Sequence, residues 1–160
     1  MNNYSIADNF SLLAKLMDIH QENSFKAKSY SIAAYTVEKL TVELSTIDQN
    51  KIFSLRELLP KITDLRAKGQ TIGFTNGCFD ILHSGHVTYL EKAKSQVDYL
   101  ILGLNSDSSI KAIKGKNRPI IGEADRARVL CALESIDAVI IFKESTPIKL
   151  IKEIKPDVLI

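Results

Sequence analysis

The sequence predicts an α/β protein: a parallel β-sheet layered with helices over 51–160, preceded by a small helical region over 1–50. Three observations lead there. From Gln70 onward, short apolar runs alternate with amphipathic stretches, the pattern of strands joined by crossover helices. Residues 5 to about 68 carry apolar positions at helical spacing and no strand-like run. The first apolar run of the second part ends in a turn, Asn76-Gly77, that leads to Gly85 and His86 in the opening turn of the next helix.

Each element has its own signal. Ile6, Phe10, Leu13 and Met17 mark a first helix, and after a break at Gln21-Glu22-Asn23-Ser24 a second is marked by Phe25, Tyr30, Ala33, Val37 and Leu40. The polar, unpatterned Asp48-Gln49-Asn50-Lys51 places the domain boundary between Thr46 and Ser54. A third helix opens at Ser54: Ser54-Leu55-Arg56-Glu57 has capping-box spacing, and Leu55, Leu58, Leu59, Ile62 and Leu65 follow. Pro60 predicts a kink or a start near Leu59, because proline lacks the N–H and crowds the preceding turn. Strands are expected at Ile72 to Thr75, Tyr99 to Leu104, Ala138 to Phe142 and Asp157 to Ile160. Helices are expected at Gly85 to Gln96, Glu123 to Ser135 and Thr146 to Ile154, the last with Thr146 as cap and Pro147 in the first helical position.

With 45% apolar and 25% charged residues the composition is that of a soluble globular protein. A net charge of only +2 supplies no general pull toward nucleic acid or anionic lipid, so any anion site has to be built locally. Cys78 and Cys131 lie outside any CxxC pattern, which argues against a disulfide framework or a zinc site and fits a reducing cytoplasm. The start, Met1-Asn2-Asn3-Tyr4-Ser5, has neither a basic stretch nor an apolar core, and no apolar run approaches the length of a membrane span; a secreted or membrane protein is not expected.

The local anion site is expected where the first strand hands over to its helix. A helix start presents free backbone N–H groups and the positive end of the dipole, which suits phosphate. Gly77 and Gly85 leave the backbone open to close approach, and His83 and His86, three residues apart, can converge on one phosphate as donors to developing charge. Other readings of these residues stand beside this one. The two imidazoles could be metal ligands, although no third ligand lies at suitable spacing. Asp80 could cap the turn by accepting backbone N–H bonds. Cys78 reads as a small packing residue, His20 as structural, and Lys111, Lys114, Lys116 and Arg118 could form a solvated loop.

The run Thr75-Asn76-Gly77-Cys78-Phe79-Asp80-Ile81-Leu82-His83-Ser84-Gly85-His86 resembles the signature of the cytidylyltransferase-like superfamily, whose Rossmann-like sheet is the HxGH nucleotidyltransferase fold; it is most similar to the adenylyltransferase domain of bacterial ADP-heptose synthases. Three further segments carry the resemblance in order: Asn105-Ser106-Asp107, Lys114-Gly115-Lys116-Asn117-Arg118-Pro119, and Glu123-Ala124-Asp125-Arg126-Ala127-Arg128-Val129-Leu130. Thr146-Pro147 then precedes a final helix and strand, as in the family.

The resemblance implies attack of a sugar or alcohol phosphate on the α-phosphate of ATP or CTP, with magnesium accompanying ATP and pyrophosphate leaving. It implies AMP transfer to a sugar 1-phosphate such as D-glycero-β-D-manno-heptose 1-phosphate, in ADP-heptose and lipopolysaccharide synthesis. By the same resemblance His83 and His86 contact the nucleotide phosphates, and Lys114 and Arg118 hold the acceptor phosphate or neutralise the transition state, as a point charge and a planar fork suit. Thr75, Asn76, Gly77, Phe79, Asp80, Gly85, Asn105 and Asp107 line the nucleotide site, Arg126 faces the triphosphate, and no residue holds a metal of its own. A CTP-dependent enzyme acting on an alcohol phosphate, or a catalytically incomplete nucleotide-binding or DNA-associated protein, is the alternative.

Two departures from the family pattern bear on partners. Family members continue beyond the last strand with another strand and a Ser-Thr-Thr turn; this sequence stops at Ile160, which leaves the expected sheet C-terminally truncated, with an open edge. At the other end, Gln21 to Tyr35 resembles the first helices of the N-terminal domain of family X DNA polymerases, without the Gly-rich hairpin that follows there. Lys26 and Lys28 are too few for salt-sensitive DNA binding to enter the main reading. The partners expected are therefore ATP and a sugar phosphate; no membrane is expected, and a homodimer is allowed.

Overall fold

The structure, a computed structural model, describes residues 3–20, 24–38 and 51–160. The break at Gln21-Glu22-Asn23, the helical position Leu40 and the boundary segment Asp48-Gln49-Asn50 lie outside the described residues. The chain divides into two compact units, Met1–Ile47 with Ile81–His83, and Asp48–Asp80 with Ser84–Ile160.

In the first unit, helix α1 (Asn3–Ile19) packs on α2 (Ser24–Glu38). Their contact is lined by small side chains: Ala7, Ala14, Ala27 and Ala34 are buried along with Val37, and Phe10 stacks on Tyr30 with ring centroids 5.9 Å apart. Leu12, Leu13, Leu16 and Ile19 are left on the exposed side of α1.

The second unit begins with α3 (Leu55–Ala67). Both halves of its capping box form: the Ser54 hydroxyl accepts from the Glu57 N–H, and the Glu57 carboxylate accepts from the Ser54 N–H at 2.8 Å. The Ser54 bonds hold the Glu57 carboxyl below its usual range. The cap fixes the start at Leu55, and the helix continues through Pro60 instead of beginning near Leu59.

Four parallel strands follow: β1 (Ile72–Gly77), β2 (Tyr99–Asn105), β3 (Ala138–Phe142) and β4 (Val158–Leu159), in the order β3-β2-β1-β4. Between them lie α4 (Ser84–Lys94), α5 (Asp107–Lys114), α6 (Glu123–Cys131) and α7 (Ile148–Ile154). Alternation along the strands splits the apolar side chains between two faces. Ile72, Phe74, Tyr99, Ile101, Ile140 and Phe142 meet Leu58 and Ile62 of α3 and Leu150 and Ile154 of α7. Leu100, Leu102 and Leu104 alternate with these in β2, and α4 and α6 pack on the sheet. Every residue of β2 is buried, as a central parallel strand covered on both faces requires.

Several expected boundaries move. β1 runs two residues past Thr75, to Gly77, because its pairing with β2 continues to Leu104. α4 and α6 end at Lys94 and Cys131, short of Gln96 and Ser135. Pro147 occupies the cap position of α7, not its first turn, and no side chain caps that helix. Helix α5 is absent from the sequence-based expectation, although Ser106 caps it by accepting from the Ser109 N–H and Gly115, at φ +94°, ends it.

Candidate active site

In an open parallel sheet a ligand crevice lies outside the carboxyl ends of the strands where the strand order reverses. Here that point is β1, from which the chain moves to β2 and β3 on one side and returns to β4 on the other. Thr75, Asn76 and Gly77 form the end of β1, and the residues after them lead to the N-terminus of α4.

Thr75 is buried, and its hydroxyl donates to the Ile160 carbonyl at 3.2 Å while lying 2.7 Å from the Tyr89 hydroxyl. It fastens strand ends together. Asn76 is exposed at the strand tip. Gly77 has a role the sequence did not disclose. A Cβ there would lie 2.7 Å from the Phe79 ring, so the absent side chain makes room for an aromatic of this chain. Phe79 itself adopts φ +43°, a left-handed conformation uncommon for a bulky residue, and its buried ring meets the His86 imidazole at 5.2 Å between centroids. Two short-range features therefore fix where His86 sits in the first turn of α4. His83 and Gly85 flank Ser84, the first helical residue, and both are exposed.

Asp80 is buried at 7% exposure and fully bonded. Its Oδ1 accepts from the Ile120 and Ile121 backbone N–H groups at 2.7 and 3.0 Å, and its Oδ2 pairs with Arg118 Nη1 at 2.5 Å. It does accept backbone N–H bonds, but from a loop 40 residues away rather than from its own turn. Lys114 is exposed in the last turn of α5, where positive charge also complements the helix dipole, and Lys116 is exposed in the loop that follows.

Arg126 departs most from its expected place. Its side chain is 1% exposed and does not lie open to a triphosphate. The Nε donates to the Ile121 carbonyl at 2.9 Å, Nη1 to the Cys78 and Asn105 carbonyls at 2.6 and 3.0 Å, and Nη2 to the Asp107 carboxylate at 2.7 Å. One guanidinium thus joins the turn after β1, the end of β2, the start of α5 and the loop before α6. Asn105 is likewise turned inward, its Nδ2 donating to the Ser109 hydroxyl at 3.0 Å. Asp107 stays partly exposed, and its backbone N–H donates to Glu123 Oε2 at 2.7 Å. Tyr89 and Ser109 have no role of their own in the sequence reading, and Glu123 enters it only as the first residue of the Glu123–Leu130 segment. Glu123 had a signal, an acid in the first position of a helix, but its partner lies 16 residues back.

Cys78 Sγ lies 4.0 Å from Asn105 Oδ1, a packing contact. Cys131 is buried in α6 and its thiol is pushed up to about 11 by burial, which removes it from nucleophilic chemistry near neutrality. Among the described residues no three of His, Cys, Asp and Glu gather as a metal site, and no helix is long and apolar enough to cross a membrane.

Comparison with known proteins gives the family. A family described as cytidylyltransferase-like matches residues 74–160. The protein named bifunctional protein HldE from Methylobacillus flagellatus is 58% identical over 110 residues, covering 69% of this chain and 22% of that one. Its namesakes from Geobacter metallireducens, over 22% of its length, and Helicobacter pylori, over 23%, are 56% and 54% identical, each across 69% of this chain. The chain thus spans about a fifth of the length of the curated relatives it matches. Among solved structures, the lipopolysaccharide core biosynthesis protein from Thermoplasma volcanium is similar at TM-score 0.52 and 34% identity, over 57% of this chain and 73% of that one.

Proposed function

The chain belongs to the cytidylyltransferase-like family, and from that premise we propose that it transfers AMP from ATP to a sugar 1-phosphate, a heptose 1-phosphate in the first instance, releasing pyrophosphate. Similarity to bifunctional HldE proteins and to a lipopolysaccharide core biosynthesis protein favours a sugar phosphate over an alcohol phosphate as acceptor. The observation that carries the reading is the ion pair between Asp80 and Arg118. It ties the turn bearing the histidine motif to the basic loop 38 residues further on, so two segments suited to phosphate are held against one strand end.

In this reading the α4 N-terminus and the imidazoles of His83 and His86 donate to the nucleotide phosphates, and Lys114 and Arg118 take the acceptor phosphate. An oxygen of the acceptor phosphate attacks the α-phosphorus, the bond to the β-phosphate oxygen breaks, and the displaced charge leaves as pyrophosphate under the histidine donors. Magnesium fits as an ion carried by the triphosphate, since it retains waters and needs only one or two carboxylates. Asp107, which keeps Oδ2 outside any hydrogen bond of the described residues, would hold it. When bound, the ion neutralises phosphate charge.

The test is pyrophosphate release from the full chain with ATP, magnesium and heptose 1-phosphate, alongside CTP and other sugar and alcohol phosphates. Release that depends on ATP and a sugar 1-phosphate is expected. Turnover only with CTP and an alcohol phosphate, or none with any pair, overturns the proposal.

A further inference from the structure

Asp80 and Arg118 form an asymmetric pair, and the asymmetry has a chemical use. The carboxylate is 7% exposed and has three donors, while the arginine side chain is 37% exposed and gives only Nη1 to the protein among the described residues. A guanidinium carries five N–H groups in a rigid fork. Holding one corner leaves the opposite edge, Nε and Nη2, directed and open. We propose that Asp80 is a positioning residue: it does not touch the substrates but clamps the loop from Gly115 to Gly122 and aims the free edge of Arg118 at a phosphate. This rests on the adenylyltransferase reading above.

The clamp has two halves that do different work. The backbone bonds from Ile120 and Ile121 set the height of the loop, and Arg126 Nε holds the same loop from beneath through the Ile121 carbonyl. The ion pair sets the direction of one side chain on that loop. The carboxylate also offsets part of the charge Arg118 presents, which restrains ground-state attraction of anions while the pair keeps the fork in register for the transition state. Binding energy realised only in the transition state raises kcat, and a loosely held group loses this advantage even when its charge is intact.

The discriminating variant is Asp80→Asn, which keeps an oxygen for the two amides and removes the charge facing Arg118. In the full chain, kcat should fall by roughly 10²-fold, the size expected from mispositioning a group by about 1 Å. KM for the sugar phosphate should stay level or decrease, because Arg118 regains its whole charge. The double variant Asp80→Asn with Arg118→Met should be no slower than Arg118→Met alone, since Asp80 acts through Arg118. Loss of ATP affinity in calorimetry, a kcat near the native value, or additive losses in the double variant would overturn the proposal.

A second measurement needs no turnover. In nitrogen-15 spectra of the arginine side chains, Arg118 should show separate Nη1 and Nη2 signals in the native chain and a merged pair in Asp80→Asn. Merged signals in the native chain refute the clamp whatever the activity. Resolved signals without turnover on any substrate pair refute the adenylyltransferase reading and leave the clamp standing.

Discussion

His86 and Arg126 share the candidate site, yet their substitution should read differently. His86 is held by the Phe79 ring and faces chemistry in the proposed reading; His86→Ala should lower kcat by roughly 10² to 10³-fold, the usual loss of one transition-state donor, with ATP affinity changed little. Equal kcat in pyrophosphate-release assays would remove it from catalysis. Arg126→Met should unfold the chain more easily by about 3–5 kcal/mol, because it strands the Asp107 carboxylate and three carbonyl oxygens that share one buried cation. Urea midpoints measure this, and a shift within error would show that water replaces the guanidinium. The burial of Arg126 is not legible in the sequence: an arginine in a helix reads as a surface residue, and the carbonyls it satisfies come from Cys78, Asn105 and Ile121, which only the fold collects.

At the scale of elements, what was legible depended on whether the signal was local. The capping box at Ser54 and the strands Tyr99–Asn105 and Ala138–Phe142 could be read because cap spacing and apolar runs are short-range. Helix α5 is too short for apolar periodicity to mark it. Asn105-Ser106-Asp107 carries a family resemblance and a helix cap in the same three residues, with Ser106 as the cap and Ile110 buried one turn later. The partner of Asp80 was illegible because it lies 38 residues away in a loop. Sheet packing adds a constraint of the same non-local kind. A Cβ on Gly103 would sit 2.7 Å from Phe74 Cζ, so Gly103→Ala should cost about 1–3 kcal/mol by overpacking between β2 and β1. Chemical denaturation checks it, and an unchanged midpoint would mean that the Phe74 ring yields freely.

For the whole molecule, the compact units are not contiguous in sequence: Ile81–His83, within the motif turn, belongs to the unit of Met1–Ile47. Stability against alkali follows from two buried groups of the sheet unit. Burial, with Asp137 adding to it, raises the Tyr99 hydroxyl to about 12, and burial raises the Cys131 thiol to about 11 against a smaller opposing effect of Lys51. Both folded values exceed those of the unfolded chain, so their contribution is complete below the ordinary thiol range and drains away as pH climbs toward 12. Urea midpoints should hold level from pH 7 to about 8.5 and then decline, and the decline should flatten in Tyr99→Phe with Cys131→Ala. A decline of equal slope in that variant would assign the alkaline sensitivity elsewhere.

The guanidinium of Arg126 has one more consequence, for how the site comes into being. Three segments of chain, at Cys78, Asn105–Asp107 and Ile121, meet on a single side chain through four bonds, so none of them is fully satisfied until the others arrive. Such a junction behaves as a switch between assembled and unassembled, not as a set of loops that fray one by one. Amide exchange at Ile120, Ile121 and Asp107 should then share one opening free energy, whereas distinct values for the loop and for the start of α5 would show them to open separately. A site of this kind reaches its substrates as one preformed piece, and its tolerance to mutation is set by the weakest of four attachments.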